Sequence, residues 1–230
     1  RLPLVCAAQQ LLYAAGIAWT YNEPTIWHEY PLAMGTLARE RGLGTVYVTN
    51  GYITEEGLRE ASSMLNAFRV DIKSFSDPFY RKVCGGRLQP VLDATALAKE
   101  LGMHVETVTL VIPGQNDSMD EMEMLIRWVL DNLGPDTPMH FTRFHPDYRM
   151  LDARPTAVRT LEKIYERAKE LGLNYPYLGN VGGHPYENTY CPARGSLAIE
   201  RAGHAIRIRG IDDHTCTECG GRIEYVSTVD

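Results

Sequence analysis

The chain has 230 residues, 44% of them hydrophobic and 23% charged, with 23 basic against 29 acidic side chains and a formal charge of −6. That length suits one large domain, or one domain with a small appendage, and is enough to bury a sizeable core. The acidic balance argues against nucleic acid as the main partner, and apolar runs such as "TVTLVI" are too short to span a bilayer.

Strand-like and helix-like segments alternate along the chain. "GIAWT" is strand-like, and "IWHEYPLAMGTLARERG" is helix-like with Gly42 as its stop. "TVYVTN" is a strand, followed by "TEEGLREASSML", a helix opened by a Thr cap and early acids. "FRVDIKS", "HVETVTLVI", "PMHFTRF" and "LNYPYLGN" read as further strands. Between them lie the helices "LQPVLDATALAKELG", "SMDEMEMLIRWVLDNLG" with its Ser cap, and "TAVRTLEKIYERAKELG". Repeated βα units predict a parallel sheet with covering helices. No G-x-G-x-x-G follows the first strand, so a TIM-type barrel, complete or partial, is expected over a dinucleotide-binding sheet. It spans residues 1–188, with a small cysteine-containing tail over 189–230.

Polar residues recur where the strands end. Asn22 and Glu23 follow the first strand, and Thr49, Asn50 and Gly51 the second. Asp71 and Lys73 close the third, "IPGQND" follows the fourth, Arg143 and His145 close the fifth, and Asn180 to His184 follow the sixth. A parallel barrel gathers such residues at one mouth. Glu23 and Asp71 suit an ammonium or ribose hydroxyls, while Lys73, Arg143 and the histidines suit a carboxylate, so a zwitterionic ligand with a sugar would use both sets. Each motif alone also suits a plain turn, Lys73 also suits a solvated pair with Asp71, and His140 a hydrogen-bonded core histidine. Lys73 at a strand end leaves open a Schiff-base lyase or aldolase, and a non-catalytic binding module stays open too.

Five cysteines occur, at positions 6, 84, 191, 216 and 219. An odd set with no even spacing is a poor disulfide framework, so a reducing cytoplasm is the expected compartment. Cys6 and Cys84 read as ordinary half-buried thiols. The chain has no signal-peptide layout and does not open on Met, so it reads as part of a larger protein.

"TYNEPT", "VTNGYITEEGL", "VDIKSFSDPFYRKVCGGRLQPVLD", "TLVIPGQNDS", "MHFTRFHPDYRML" and "YLGNVGGHPYENTYCP" together resemble the radical SAM enzyme of the AmmeMemoRadiSam system, a relative of the pyruvate formate-lyase activating enzymes. The resemblance implies a partial barrel that binds S-adenosylmethionine beside a [4Fe-4S] cluster held by a C-x3-C-x2-C loop. It also implies a 5'-deoxyadenosyl radical that takes hydrogen from a substrate, either a small molecule or a protein of the same system. No C-x3-C-x2-C occurs in these 230 residues, and the chain is expected to be truncated ahead of "TYNEPT". By the same resemblance Glu23, with Asn22, takes the cofactor's ammonium. Val48 stands where the activating enzymes carry a ribose-binding Asp, so that contact passes to Thr49 or Asn50. Asp71 and Lys73 match an Asp-x-Lys block near the ribose and the methionine carboxylate. His140 falls on a strand that places a polar group near the cofactor, and Arg143 and His145 face the substrate.

The tail resembles a rubredoxin-like pair of cysteine knuckles with Zn or Fe as the metal. Arg194 replaces the second cysteine, leaving Cys191, Cys216 and Cys219, with His214 or water as a fourth ligand, or a lost site with free thiols as the alternative.

Overall fold

A computed structural model describes residues 15–203 and 205–224; Cys6 lies outside them. Six strands form one parallel sheet in sequence order: β1 (Gly16–Trp19), β2 (Gly44–Thr49), β3 (Ala67–Asp71), β4 (His104–Val111), β5 (Met139–Arg143) and β6 (Pro176–Gly179). Helices α1 (Glu29–Arg39), α2 (Glu55–Ser62), α3 (Leu88–Glu100), α4 (Met119–Asn132) and α5 (Val158–Glu170) lie between consecutive strands. A closed barrel of this kind has eight strands, and here β1 and β6 do not pair, so the architecture is a partial barrel. Pro176 opens β6, an edge position where its missing N–H is tolerated.

The strand residues alternate between two environments. Tyr47, Phe68, Val70, Met139 and Phe141 are fully buried and belong to the same core as Leu58, Val91, Leu125, Ile126, Leu161 and Ile164 of the helices. The alternate residues, including Val48, Arg69, Glu106 and His140, are half-buried and line the other, concave face. α5 shows why its sequence is helical: Leu161, Ile164, Tyr165 and Ala168 recur at helical spacing and are the buried ones. Leu161 and Ile164 each contribute about 1.5–3 kcal/mol on burial.

The caps fall where the sequence puts them. The hydroxyl of Thr54 accepts from the N–H of Gly57 at 3.2 Å, and that of Ser118 from the N–H of Glu121 at 3.2 Å. Gly102 stops α3 at φ 82°, a conformation costly for any residue with a Cβ. Two segments add to or differ from the sequence reading. The helix expected from residue 26 is split, with a 3-10 turn at Pro24–Trp27 ahead of α1, because Glu23 caps the turn with its own side chain. A helical turn at Asp77–Phe79 runs into a π turn at Tyr80–Cys84, a stretch to which the sequence reading assigned no element.

The tail forms a three-stranded antiparallel sheet of β7 (Thr189–Tyr190), β8 (Leu197–Ala202) and β9 (Ala205–Ile208), followed by a short hairpin of β10 (Ile211–Asp212) and β11 (Thr215–Cys216). Its own core is small: Tyr175, Cys191, Ala198, Cys216 and Ile223. Among the described residues no helix is long and apolar enough to cross a membrane.

Candidate functional site at the strand ends

The best-defined cluster joins the ends of β1 and β2. Glu23 accepts at Oε1 from the hydroxyl of Thr49 at 2.6 Å and from the hydroxyl of Thr25 at 2.8 Å. The N–H of Thr25 reaches the same oxygen at 3.3 Å. Oε2 accepts from the N–H of Asn50 at 2.8 Å. Three sequence-chosen residues, Glu23, Thr49 and Asn50, are thus one structural unit. Capping the 3-10 turn does not use up the carboxylate. Oε1 is crowded, whereas Oε2 holds one bond and has lone-pair capacity for a ligand donor. Gly51 makes the approach possible: at φ 73°, an added Cβ would stand 2.7 Å from Val70 Cγ2 and 3.0 Å from Val91 Cγ1. Asn22 is exposed beside Tyr21, which takes φ 67°.

Asp71 and Lys73 lie at the end of β3. Lys73 Nζ donates to Asp71 Oδ2 at 2.6 Å, and Arg69 approaches Asp71 Oδ1 at 3.5 Å. Both members of the closer pair are partly exposed, at 27% and 38% for the side chains. A Schiff-base lysine is activated by desolvation or by a neighbouring cation, and here the neighbour is a carboxylate, so the aldolase reading has no support. The main chain of Lys73 is held twice. Its N–H donates to the hydroxyl of Tyr80 at 3.0 Å, and its carbonyl accepts from Asn116 Nδ2 at 2.6 Å. Asn116, 1% exposed, also donates to the carbonyl of Leu110 at 2.9 Å and accepts from the N–H of Ile112 at 2.6 Å. It ties the ends of β3 and β4 together. The sequence signal for it was "IPGQND", read only as a polar turn.

Two cavities open at this mouth and share Leu110. One of about 500 Å3 is mostly apolar, with Tyr52, Phe79, Tyr80 and Val91 in its wall and Asn50 and Lys73 also lining it. Cys84 borders it on the π turn and is exposed, not half-buried as expected, because the π turn carries it out on the surface. The other cavity, of about 450 Å3, is lined by Arg143, His145 and Asn180 among others.

His140 is placed elsewhere. As the second residue of β5 it sits below the mouth, 3.2 Å from Glu106 Oε2 through Nε2 and stacked on Tyr177 with ring centroids 5.0 Å apart. His104 holds the other oxygen of Glu106 at 3.1 Å. Burial pushes the Glu106 carboxyl up, but the hydrogen bonds from His104 and His140 outweigh it and hold the group well below the usual carboxylate range. Sequence reasoning missed Glu106 and Tyr177 because neither ends a strand. Their only signal was a polar side chain at the inward phase of an apolar strand.

In the tail, the sulfurs of Cys191, Cys216 and Cys219 lie within 4.8 Å of one another, with Cys191 and Cys219 at 3.7 Å. Arg194 is exposed, and His214 is not in the group. Hydrogen bonding from the hydroxyl of Ser196, then from the N–H of Glu218, lowers the Cys216 thiol to about 7. Three converging sulfurs with one depressed thiol are a donor set that suits Zn or Fe.

The radical SAM superfamily profile matches residues 7–129, more than half of the chain. The chain belongs to the radical SAM superfamily. An uncharacterized protein of Methanocaldococcus jannaschii is 46% identical over 213 residues, which cover 92% of this chain and 63% of that protein. A GTP 3',8-cyclase of Listeria monocytogenes is 28% identical over 193 residues, 78% of this chain and 54% of the cyclase. The chain therefore spans about half to under two thirds of the length of these relatives. Among solved structures, a domain of pyruvate-formate lyase-activating enzyme from Bacteroides vulgatus matches with a TM-score of 0.63 at 14% identity, covering 72% of this chain and 99% of that domain. Streptococcus suis SuiB bound to S-adenosylmethionine matches with a TM-score of 0.59 at 10% identity, covering 72% of this chain and 39% of SuiB. These structural likenesses establish the fold, a partial radical SAM barrel.

The superfamily implies S-adenosylmethionine and a [4Fe-4S] cluster. The donor set at the mouth fits the first: a carboxylate oxygen with spare capacity at Glu23, an exposed Asn50, and the Asp71–Lys73 pair offer partners for an ammonium, hydroxyls and a carboxylate. The second does not fit these residues. The five cysteines contain no C-x3-C-x2-C, and among the described residues Cys84 is the one cysteine lining the larger cavity at the mouth.

Proposed function

We propose that this chain is the cofactor-binding part of a radical SAM enzyme of the AmmeMemoRadiSam kind. Glu23 receives the ammonium of S-adenosylmethionine, Thr49 and Asn50 orient Glu23 and offer contacts to the ribose, and Asp71 and Lys73 stand on the ribose and carboxylate side. The observation that carries this reading is the Glu23 clamp. One carboxylate is pinned by the ends of two strands, with Oε2 still able to accept. When bound, the cofactor supplies radical chemistry for hydrogen abstraction. The protein's own part is to fix the carboxylate and hold the ends of β3 and β4 through Asn116, so that the ligand meets a preorganised surface. Arg143 and His145 face the substrate, either a small molecule or a protein of the same system.

Equilibrium dialysis with labelled S-adenosylmethionine tests the reading. The wild-type chain retains the ligand, and Glu23→Gln weakens it by roughly tenfold or more, the loss of a charge-assisted hydrogen bond. Retention of equal ligand by both proteins, or by neither, would sink it. With iron, sulfide and reductant added, the chain alone is expected to release no 5'-deoxyadenosine, because its cysteines lack the cluster pattern.

The tail supports a second, structural reading: Cys191, Cys216 and Cys219 hold a Zn or Fe ion that folds it. Convergence of the three sulfurs favours this over free thiols.

A further inference from the structure

The smaller cavity contains a cation whose bonding is incomplete. Arg143 ends β5 and is half-buried. Its Nε donates to the carbonyl of Thr156 at 2.9 Å, and no other hydrogen bond, ion pair or ring contact engages its side chain among the described residues. Thr156 is itself rigidly placed. It is fully buried, donates to the carbonyl of Val111 at 2.6 Å and accepts from the N–H of Phe144 at 3.0 Å. The guanidinium is thus anchored at one nitrogen, while the four N–H groups on its other two nitrogens have no acceptor among the described residues.

The other half-buried arginines are treated differently. Arg69 meets Asp71, Arg167 meets Glu123 and Glu170, and Arg201 donates to Thr189 and to the carbonyl of Glu187 while lying over the ring of Tyr177. Arg143 instead lines a cavity of about 450 Å3 whose wall includes Leu110, Phe144 and Met150. Its two terminal nitrogens are not among the buried unpartnered atoms and lie open to this cavity, so a ligand acceptor can reach them. A planar fork of donors matches a carboxylate bidentately, and the apolar wall matches a hydrocarbon body. Asp147 also lines the cavity and is exposed, with Oδ1 accepting from the N–H of Tyr148, which disfavours a doubly charged anion and tolerates a cationic group beside the carboxylate.

We infer that the Arg143 cavity is the receptor for the substrate's carboxylate, and that the substrate is an organic acid with an apolar body seated on Leu110, Phe144 and Met150. This inference rests on the reading of the neighbouring strand ends as the cofactor site, and its test keeps the two apart. Phenylacetate serves as the probe, followed by saturation-transfer NMR on the full chain, with inorganic phosphate as the competing arm and S-adenosylmethionine affinity measured on the same proteins. Phenylacetate is expected to bind the wild type, to lose roughly tenfold or more in Arg143→Gln, and to keep part of its affinity in Arg143→Lys. Cofactor affinity is expected to stay unchanged in both variants. The inference is overturned by no phenylacetate binding, by equal binding to Arg143→Gln, by phosphate binding in its place, or by a loss confined to the cofactor. Failure of the wild type to bind cofactor while phenylacetate binds in an Arg143-dependent way would sink the cofactor reading alone. Should Arg143→Gln not fold, protection of Arg143 from phenylglyoxal by phenylacetate in the wild type reads the same contact, and absence of protection overturns it.

Discussion

The half-barrel and the tail solve the same problem with different means. The barrel core runs from Trp19 to Leu178 and draws on all six strands and all five helices. The tail core has five buried residues, two of them cysteines. A core of the first size stands on apolar burial, whereas one of the second size needs a staple. Polar groups at the barrel mouth are therefore free to serve a ligand. In the tail two of the three converging thiols, those of Cys191 and Cys216, belong to the small core itself.

The comparison can be broken at its strong end first. Phe141→Ala opens a cavity beneath a fully buried central strand and is expected to cost about 3–5 kcal/mol of stability, read by chemical denaturation. A cost below 1 kcal/mol would mean that the barrel core is not the stabilising unit. Next in size, Cys216→Ser, or a chelator on the wild type, is expected to lower hydrogen-exchange protection in β8 and β11 by roughly tenfold or more while β3 to β5 keep theirs. Loss of protection in both regions alike would erase the distinction drawn here. The smallest effect concerns Glu106. Its carboxyl is held below its unfolded value, so its contribution to stability is present above about pH 4.3 and is lost as pH falls through the folded value. Glu106→Gln is expected to flatten the acid side of the stability profile, with the gap between wild type and variant shrinking as pH falls below about 4.3 and closing only below the folded value. A gap that widens in acid would contradict the bridge to His104 and His140.

Much of this was legible in the sequence, for reasons that differ by region. The βα alternation and the caps at Thr54 and Ser118 could be read because local periodicity and turn chemistry agree with the fold. The Glu23–Thr49–Asn50 unit could be anticipated as a gathering of strand ends, but its bonds could not, because they depend on register between β1 and β2. The register of β5 put His140 beside Glu106, away from the mouth, and no local pattern encodes that pairing. The π turn was hidden because Tyr80 to Cys84 carries no Pro or Gly to mark it, only the glycines that follow. The lone status of Arg143 was equally invisible, since a cation's missing partner shows only in three dimensions.

That π turn has one more consequence. Its carbonyl at Tyr80 is met by the N–H groups of both Gly85 and Gly86, so one residue more is wound into the turn than an α-helix would hold. The wall of the larger cavity is therefore sensitive to residue count as well as residue type. Removing Lys82, an exposed side chain, would let the segment relax to ordinary helical winding and swing Tyr80 away from the N–H of Lys73. A one-residue deletion at the surface would then disturb the end of β3 more than many substitutions inside the cavity.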